Sequence, residues 1–256
     1  MKIKNILAVA LVSTTIMATS CRSHYEMTGL ERTRILIDNR YDSGINEEDN
    51  NFMRPYKQKV DSMMSPVVGQ LAHYMYADWP ESPLSDLLSD VLVWAGKKYN
   101  EQPDFGVYNI GGIRAALAEG DVTVGDVLEL APFENKICFV TMTGKDVMEL
   151  FDQMAMQLGQ GVSHEVKLTI SKKGKLIEAL VGGKPVDLDR AYRIVTLDYV
   201  AQGNDKMAAF KMKTDVNSPQ DEQNNIRYII MDYFREKMAQ GKKVSQQIEG
   251  RINIVE

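Results

Sequence analysis

The chain has 256 residues, with 35 acidic and 30 basic side chains that give a formal net charge of −5 at pH 7. An acidic chain without a basic tract argues against binding to the backbone of a nucleic-acid polymer. The length is sufficient for one domain with a substantial core.

The amino-terminal residues have the order of an export signal. Lys2 and Lys4 precede an apolar run at residues 6–12, and small residues then lead into Cys21. This layout predicts a signal peptide over residues 1–20, because the apolar run is too short for a permanent membrane helix. The cysteine stands where a bacterial lipoprotein carries its lipid, so we expect Cys21 to anchor the exported protein to the cell envelope. Either the periplasm or the cell surface would fit, and the alternative is ordinary cleavage with Cys21 as a passive residue.

The second cysteine, Cys138, lies in an apolar run. If Cys21 carries lipid, Cys138 has no disulfide partner, so the fold cannot depend on a disulfide. We expect Cys138 to be a buried and inert thiol.

Residues 21–58 have the composition of a connecting segment. They contain one short β-like stretch around Ile35 and a polar, acidic run at residues 46–51. We predict a partly disordered tether between the lipid and the domain. The stretch around Ile35 could equally add to an edge of the domain's sheet.

Four helix starts are marked by capping residues. Ser82 and Ser218 are each followed by proline, and Thr123 and Thr143 each precede an aspartate by three residues. Apolar residues at helical spacing follow these starts, so each helix is expected to bury one face. The last helix is expected to end near Gly241.

Strands are predicted where apolar residues run together or alternate with polar ones. They cover residues 105–108, 137–142, 166–170, 176–181 and 192–197, and a closing strand lies near Ile252. Helices and hairpin strands are mixed without a repeated βαβ unit, which favours an α+β class over a doubly wound parallel sheet. We expect one α+β domain over residues 59–256.

No catalytic motif is visible in the sequence. The three histidines, His24, His73 and His164, stand alone, and no His or Cys cluster with metal-ligand spacing occurs. A phosphate-binding loop and a nucleophile elbow are also absent. We therefore predict no metal site and no catalytic residue in this sequence, and we expect His73 and His164 to be core or surface residues.

The first segment with binding character is the glycine motif at residues 109–114. The adjacent glycines Gly111 and Gly112 permit positive φ and close approach of the backbone to a ligand. Arg114 offers a planar set of donors that suits a phosphate or a carboxylate. The alternative is a plain turn with a surface arginine.

Two further segments place an aromatic residue beside polar groups. Phe133 and Asn135 lie in a helix-to-strand connection, where a ring can stack on a base and an amide can bind its polar edge. Tyr199 ends a strand that leads into a glycine loop with Asp205. Phe133 could instead be a core residue beside a turn, and Asp205 could bind sugar hydroxyls or merely cap its turn.

Taken together, these segments resemble a known family. Asn-x-Gly-Gly-x-Arg from Asn109, then Gly-Asp-Val-x-x-Gly-Asp-Val, Pro-Phe-x-Asn, and Thr-Leu-Asp-Tyr followed by Gly-x-Asp stand in the order and spacing of the C-terminal domain of 5′-nucleotidases. The resemblance covers most of residues 60–210 and implies a layered α/β/β/α domain that recognises nucleotides.

The resemblance also implies roles for individual residues. Arg114 matches the arginine that binds the substrate in the family. Phe133 and Tyr199 match the two aromatics that hold the base between them, although the second is more usually phenylalanine. Asn135 matches the asparagine after the first aromatic, and Asp205 matches the aspartate that binds ribose.

Two departures from the family pattern shape the functional hypothesis. Residues 79–82 are Trp-Pro-Glu-Ser where family members carry further arginines, and no histidine and aspartate ligands of a dinuclear metallophosphatase domain occur. We therefore expect a separately encoded metallophosphatase chain with divalent metals as the partner in nucleotide hydrolysis. The alternatives are a non-catalytic lipoprotein that binds nucleosides or nucleotides, and a scaffold that has lost its ligand.

Overall fold

The computed structural model describes residues 27, 29, 31–36 and 47–256. The predicted signal peptide, Cys21 and His24 lie outside these residues. Contacts divide the chain into two units, Met1–Phe52 and Met53–Glu256. Within the first unit, residues 31–36 are exposed and form neither helix nor strand, so the β-like stretch around Ile35 does not form a strand over these residues.

Helix α1, Glu47–Met64, has no buried side chain. Three acidic residues in its first turn stabilise the helix, because their negative charges lie at the positive end of the helix dipole. The predicted limit between tether and domain, at residues 58 and 59, falls within α1. We predicted a partly disordered tether up to residue 58, and residues 47–58 of it form the first part of this exposed helix.

Five more helices follow, and the capping residues explain where most of them begin. They are α2 (Pro83–Ala95), α3 (Val124–Leu130), α4 (Gly144–Ala155), α5 (Asp198–Ala201) and α6 (Ile226–Ala239). Ser82, Thr123 and Thr143 each accept a hydrogen bond from a backbone N–H in the first turn, as predicted. Helix α6 ends before Gly241, which has a φ of 69°.

The start of α6 differs from the prediction at Ser218. The helix begins seven residues later than the predicted start, and Asn225 is its N-cap, with a side chain that accepts from the N–H of Arg227. Ser218 instead follows a strand, in a connection between elements. The serine–proline pair is a local signal. None of residues 219–225 is a buried apolar residue, and the first one after the pair is Ile226.

The strands form three sheets within residues 67–255. They are β1 (Val67–Leu71), β2 (Phe105–Tyr108), β3 (Gly120–Thr123), β4 (Ile137–Thr143), β5 (Gly161–Val162), β6 (Val166–Ser171), β7 (Leu176–Val181), β8 (Lys184–Pro185), β9 (Ala191–Leu197), β10 (Thr214–Asn217) and β11 (Ile252–Val255). The sheet orders are β1-β3, β10-β4-β9-β2-β5 and β11-β6-β7-β8. Both larger sheets mix parallel and antiparallel pairs, so the α+β class is confirmed.

The helices connect the sheets through one apolar core. Helices α2 and α6 pack together, α2 also contacts β2 and β5, and α4 contacts strands of both larger sheets. Apolar side chains from α2 to α6, and from every described strand except β8 and β10, join this core. Cys138 is buried in it as a free thiol, and burial raises the pKa of the Cys138 thiol, as an inert residue requires.

A cluster of charged side chains is buried beside the closing strand. Arg251 is 1% exposed and pairs with Asp90 through two hydrogen bonds of 2.9 and 2.7 Å. Its Nε also lies 3.4 Å from Asp86 Oδ2. Glu81 accepts the backbone N–H groups of Gly250 and Ile252 at 2.9 and 3.0 Å, so α2 and its preceding loop hold the carboxyl-terminal segment in place.

Candidate functional site

Strand directions bring three distant segments to one edge of the five-stranded sheet. Strands β2 and β9 are parallel, so the residues after both strands leave the sheet at the same edge. Strand β4 is antiparallel to β9, with Ile137 opposite Leu197, so the connection before β4 reaches that edge as well. Asn109 follows β2, Tyr199 follows β9, and Phe133 precedes β4. This topology explains why the three residues meet.

The three segments enclose a cavity of about 210 Å³. Its lining residues are Asn109, Gly111, Gly112, Phe133, Asn135, Tyr199 and Asp205. These are seven of the eight substrate-binding residues that the sequence predicts, and the eighth, Arg114, lies beside the cavity. The structure therefore brings the predicted residues together, and their roles toward a ligand remain predictions.

A polar network crosses the cavity and is centred on Asp205. Asn109 Nδ2 donates to Asp205 Oδ2 at 2.6 Å, and the Tyr199 hydroxyl donates to Asp205 Oδ1 at 3.0 Å. This second bond raises the pKa of the Tyr199 phenol, because the neutral phenol is the donor. Asp205 has a φ of 50°, in the left-handed region that aspartate tolerates in turns. The carboxylate is thereby held in one orientation, with lone pairs left for further donors.

Asn109 combines burial with an unused acceptor. The residue is 3% exposed, and its Oδ1 has no hydrogen-bond partner among the described residues. A Cβ on Gly112 would lie 2.9 Å from this oxygen, so the glycine lets the backbone approach the asparagine side chain. Neither Gly111 nor Gly112 has a positive φ, because both belong to a 3-10 turn at Ile110–Gly112. The positive φ that the two glycines permit is therefore not adopted here, whereas Gly112 does allow a close approach.

Both aromatic side chains at the cavity are exposed. Phe133 is 47% exposed and Tyr199 is 38% exposed. Phe133 therefore does not lie in the core, which was the alternative from the sequence. Exposed aromatic rings beside fixed polar groups are the usual lining of a site that takes a planar ring.

Asp198 holds the two aromatic segments against each other, and the sequence prediction did not include it. Its Oδ1 accepts the backbone N–H of Lys136 at 3.0 Å and that of Tyr199 at 2.8 Å. Its own N–H donates to the Lys136 carbonyl at 2.8 Å. On the other side, the N–H of Ile226 donates to the Asn135 carbonyl at 2.9 Å. The position of Asp198 directly before Tyr199, at the end of a predicted strand, was the available signal.

Arg114 supplies a positive charge at the rim of the cavity. Its Nη1 donates to the Gly111 carbonyl at 3.2 Å, and its Cζ lies 5.9 Å from the centre of the Phe133 ring. The side chain is exposed, so its remaining donors can reach an anion. An anionic group joined to a ring in the cavity would meet this guanidinium.

The described residues contain no group of three or more His, Cys, Asp or Glu side chains that could hold a metal ion. His73 contacts the side chain of Gln247 at 2.9 Å, and His164 contacts Glu249 at 2.8 Å, both away from the cavity. No helix in the part of the chain that the structure describes has the length and apolar character needed to cross a bilayer.

The fold and the cavity define a mixed α and β domain with a polar, aromatic-lined candidate site at a sheet edge. The arrangement can hold a planar ring, sugar-like hydroxyl groups and an anion. The chain belongs to the family described as 5′-nucleotidase, C-terminal domain, whose model matches residues 67–212. The resemblance predicted from the motifs is thereby confirmed.

Relatives in sequence are longer nucleotidases and related proteins. Protein UshA of Salmonella pullorum is 35% identical over 156 residues, which are 60% of this chain and 28% of the relative. Protein UshA of Escherichia coli (strain K12) is 26% identical over 163 residues, with 62% and 30% covered. The chain thus spans less than a third of the length of these curated relatives.

Solved structures show the same fold. A 5′-nucleotidase precursor from Thermus thermophilus aligns with a TM-score of 0.68 and 24% identity, over 80% of this chain and 43% of that chain. The NAD nucleotidase of Haemophilus influenzae aligns with a TM-score of 0.59 and 19% identity, over 82% and 42%. At these identities the likeness concerns the fold.

Proposed function

We propose that this protein is the substrate-recognition part of a 5′-nucleotidase-type hydrolase in nucleotide catabolism. Hydrolysis of the phosphomonoester would take place on a separately encoded metallophosphatase chain that carries divalent metals. One observation carries the proposal: seven of the eight predicted substrate-binding residues line one cavity.

Recognition would use each part of the cavity for one part of the nucleotide. The base would stack against Phe133 and Tyr199, and the amide of Asn135 would bind its polar edge. The ribose hydroxyls would donate to Asp205, whose orientation is already fixed by two hydrogen bonds. The phosphate would lie at Arg114 and point away from the core, where a second chain can reach it.

The family supports this division of labour. The curated relatives named 5′-nucleotidase are longer than this chain, and it aligns with a minor part of each. The resemblance implies that in the longer members a metallophosphatase domain performs the hydrolysis and the C-terminal domain holds the nucleoside. A two-chain arrangement would place the same two parts on separate polypeptides.

Export and anchoring complete the proposal. A lipid on Cys21 would hold the domain at the cell envelope, where extracellular or periplasmic nucleotides are met. Metabolic labelling with a fatty-acid analogue should mark the wild-type protein and leave Cys21→Ala unlabelled. An unlabelled wild-type protein would remove the anchor and leave the recognition proposal intact.

The test of function is AMP hydrolysis by the purified protein with Mn²⁺ or Zn²⁺, alone and mixed with each metallophosphatase encoded by the same cell. We expect activity in one mixture only. Arg114→Ala should then raise the KM for AMP, because the guanidinium binds the phosphate end. Lys173→Ala is a matched control, since this exposed cation lies in a turn outside the cavity.

Two other outcomes would overturn the two-chain enzyme. If no mixture hydrolyses AMP but AMP or adenosine binds measurably, the protein is a non-catalytic binding lipoprotein. If there is neither hydrolysis nor binding, it is a scaffold that has lost its ligand. The intact network of Asn109, Tyr199 and Asp205 argues against this last result, because a lost site would not keep a fixed carboxylate.

A further inference from the structure

Helix α1 presents apolar side chains that the domain does not bury. None of its 18 residues is buried, and Met53, Val60 and Met63 are 56%, 55% and 56% exposed. Since successive residues of a helix are about 100° apart, these three side chains fall within an arc of about 80°. We call this arc the apolar face of α1. Apolar side chains gathered on one exposed face are typical of a surface that contacts a partner.

Two exposed lysines flank the apolar face. On the helix, Lys59 lies about 40° beyond Met63, and Lys57 lies about 40° beyond Met53 on the other side. Lys57 also pairs with Asp61 at 3.1 Å, and both side chains of this pair are solvated. Lysine side chains at such positions can lay their methylene stems along an apolar surface and keep their ammonium groups in a polar layer. This arrangement is typical of helices that lie in the interface of a bilayer.

The charge of α1 differs from that of the rest of the domain. Its first turn holds three acidic residues. Residues 53–64 then contain three cations against the single carboxylate of Asp61, a net charge of +2. Residues 65–256 contain 27 acidic and 21 basic side chains, a net charge of −6. An anionic surface therefore attracts α1 from residue 53 onward and repels the chain that follows, which favours contact through α1.

The place of α1 in the chain also favours a lipid surface. The helix lies between Cys21, the predicted lipid site, and β1, the first strand of the domain. A lipid on Cys21 would keep α1 beside a bilayer at all times, whereas a protein partner is met only at its own concentration. The helix lacks the apolar character needed to cross that bilayer, so its contact would be with the surface.

We infer that α1 lies in the surface of an anionic membrane. Met53, Val60 and Met63 enter the boundary between headgroups and acyl chains, and Lys57 and Lys59 contact the anionic headgroups. The inference goes beyond the proposed function and does not depend on it, because none of these residues lines the recognition cavity.

The experiment uses the mature chain, residues 21–256 with Cys21→Ala, so that neither the predicted signal peptide nor a lipid contributes to binding. Sedimentation measures its binding to vesicles of phosphatidylethanolamine with phosphatidylglycerol, and to vesicles of phosphatidylcholine alone. We expect binding to the anionic vesicles, and a loss of at least about fivefold in about 0.5 M salt, because salt screens the charges. Replacing Lys57 and Lys59 together by glutamine should weaken this binding by about tenfold or more.

A triple variant tests the apolar face itself. Met53→Ser, Val60→Ser and Met63→Ser together should weaken binding to the anionic vesicles by at least about tenfold, because three apolar side chains no longer enter the interface. AMP binding should stay unchanged, so failure of this inference leaves the recognition proposal intact.

The matched control removes three apolar side chains of similar exposure outside α1, at 55%, 49% and 51%: Ile177→Ser, Leu188→Ser and Val216→Ser. It should bind the vesicles like the wild-type sequence. Absence of binding to anionic vesicles, or equal binding by the α1 triple variant, would overturn the membrane contact. Loss of AMP hydrolysis in the mixture with a metallophosphatase, with vesicle binding unchanged in the α1 triple variant, would also overturn it, because the face would then bind a protein.

Discussion

Replacing Asp198 by alanine removes the carboxylate oxygen that receives two backbone N–H groups, one on each side of the recognition cavity. The bonds measure 3.0 Å to Lys136 and 2.8 Å to Tyr199. A hydrogen bond to a charged acceptor contributes about 1.5–3 kcal/mol. Because Asp198 is only half-buried, water can replace part of each bond, and we expect a total loss of about 2–3 kcal/mol in the free energy of unfolding.

The loss should appear in both stability and recognition. For a domain of this size, about 2–4 °C per kcal/mol predicts a fall of about 4–12 °C in the melting temperature. AMP affinity should fall as well, because the loop that carries Phe133 is then held to the Tyr199 segment only by the backbone bond from the N–H of residue 198 to the Lys136 carbonyl. Urea denaturation and AMP titration of the same preparation measure the two effects.

Two variants separate positioning from general stability. Asp198→Asn keeps an acceptor oxygen at the same place and should restore most of the AMP affinity. Asp146→Ala removes a carboxylate that accepts from Thr143 at 2.6 Å at the start of α4, away from the cavity, so it should lower stability without changing AMP affinity. The reasoning is refuted if Asp198→Ala melts and binds AMP like the wild-type protein.

Three further changes test other parts of the structure. Phe133→Ala should weaken AMP binding by about 1–3 kcal/mol, the range for base stacking on an aromatic side chain. Tyr199→Phe keeps the ring and loses the hydroxyl that donates to Asp205, so AMP affinity measured by titration should stay within about threefold. Burial raises the pKa of Asp86 to about 9, against 3.8 for the free group. The native state then holds a proton that the unfolded state releases, so the free energy of unfolding should fall as pH rises from about 5 to 8. Asp86→Asn cannot ionise and should flatten this fall in urea denaturation at each pH.

Each of these expectations has a contrary result. Equal AMP affinity in the wild-type protein and Phe133→Ala would show that no base stacks there. A large loss in Tyr199→Phe would mean that the hydroxyl, rather than the ring, carries the contact. Parallel pH profiles for the wild-type protein and Asp86→Asn would mean that the nearby Arg251 keeps the carboxylate ionised in the native state.

Local chemistry made most of the fold predictable. The helix starts at Ser82, Thr123 and Thr143 depend on side chains within three residues of the cap, so the sequence alone displays them. The start of α6 combines a local cap, the side chain of Asn225, with a distant contact, in which the Ile226 N–H donates to the carbonyl of Asn135. The serine–proline signal at Ser218 could not reveal that the contact with Asn135 places the helix start at Ile226.

Strand β1 escaped prediction because its centre is a glycine. A Cβ at Gly69 would lie 2.8 Å from the Phe234 side chain, so α6 packs directly on the strand backbone. This packing requires a residue that interrupts the apolar pattern on which strand prediction depends. The site residues were predictable because each of the three segments carries its own short motif. Asp198 stands within one of these motifs, but its contacts are with backbone groups, so the motif alone did not reveal its role.

The recognition cavity exists only when the five-stranded sheet is complete, because its walls come from segments near residues 109, 133 and 199 that are far apart in the chain. A ligand that fills the cavity therefore selects the fully folded domain over every partly folded form. At a ligand concentration of about 100 times Kd, this linkage adds about 2.7 kcal/mol to the free energy of unfolding. For a domain of this size the gain corresponds to about 5–11 °C in melting temperature. A thermal-shift screen of the purified protein can thus rank nucleosides and nucleotides by affinity.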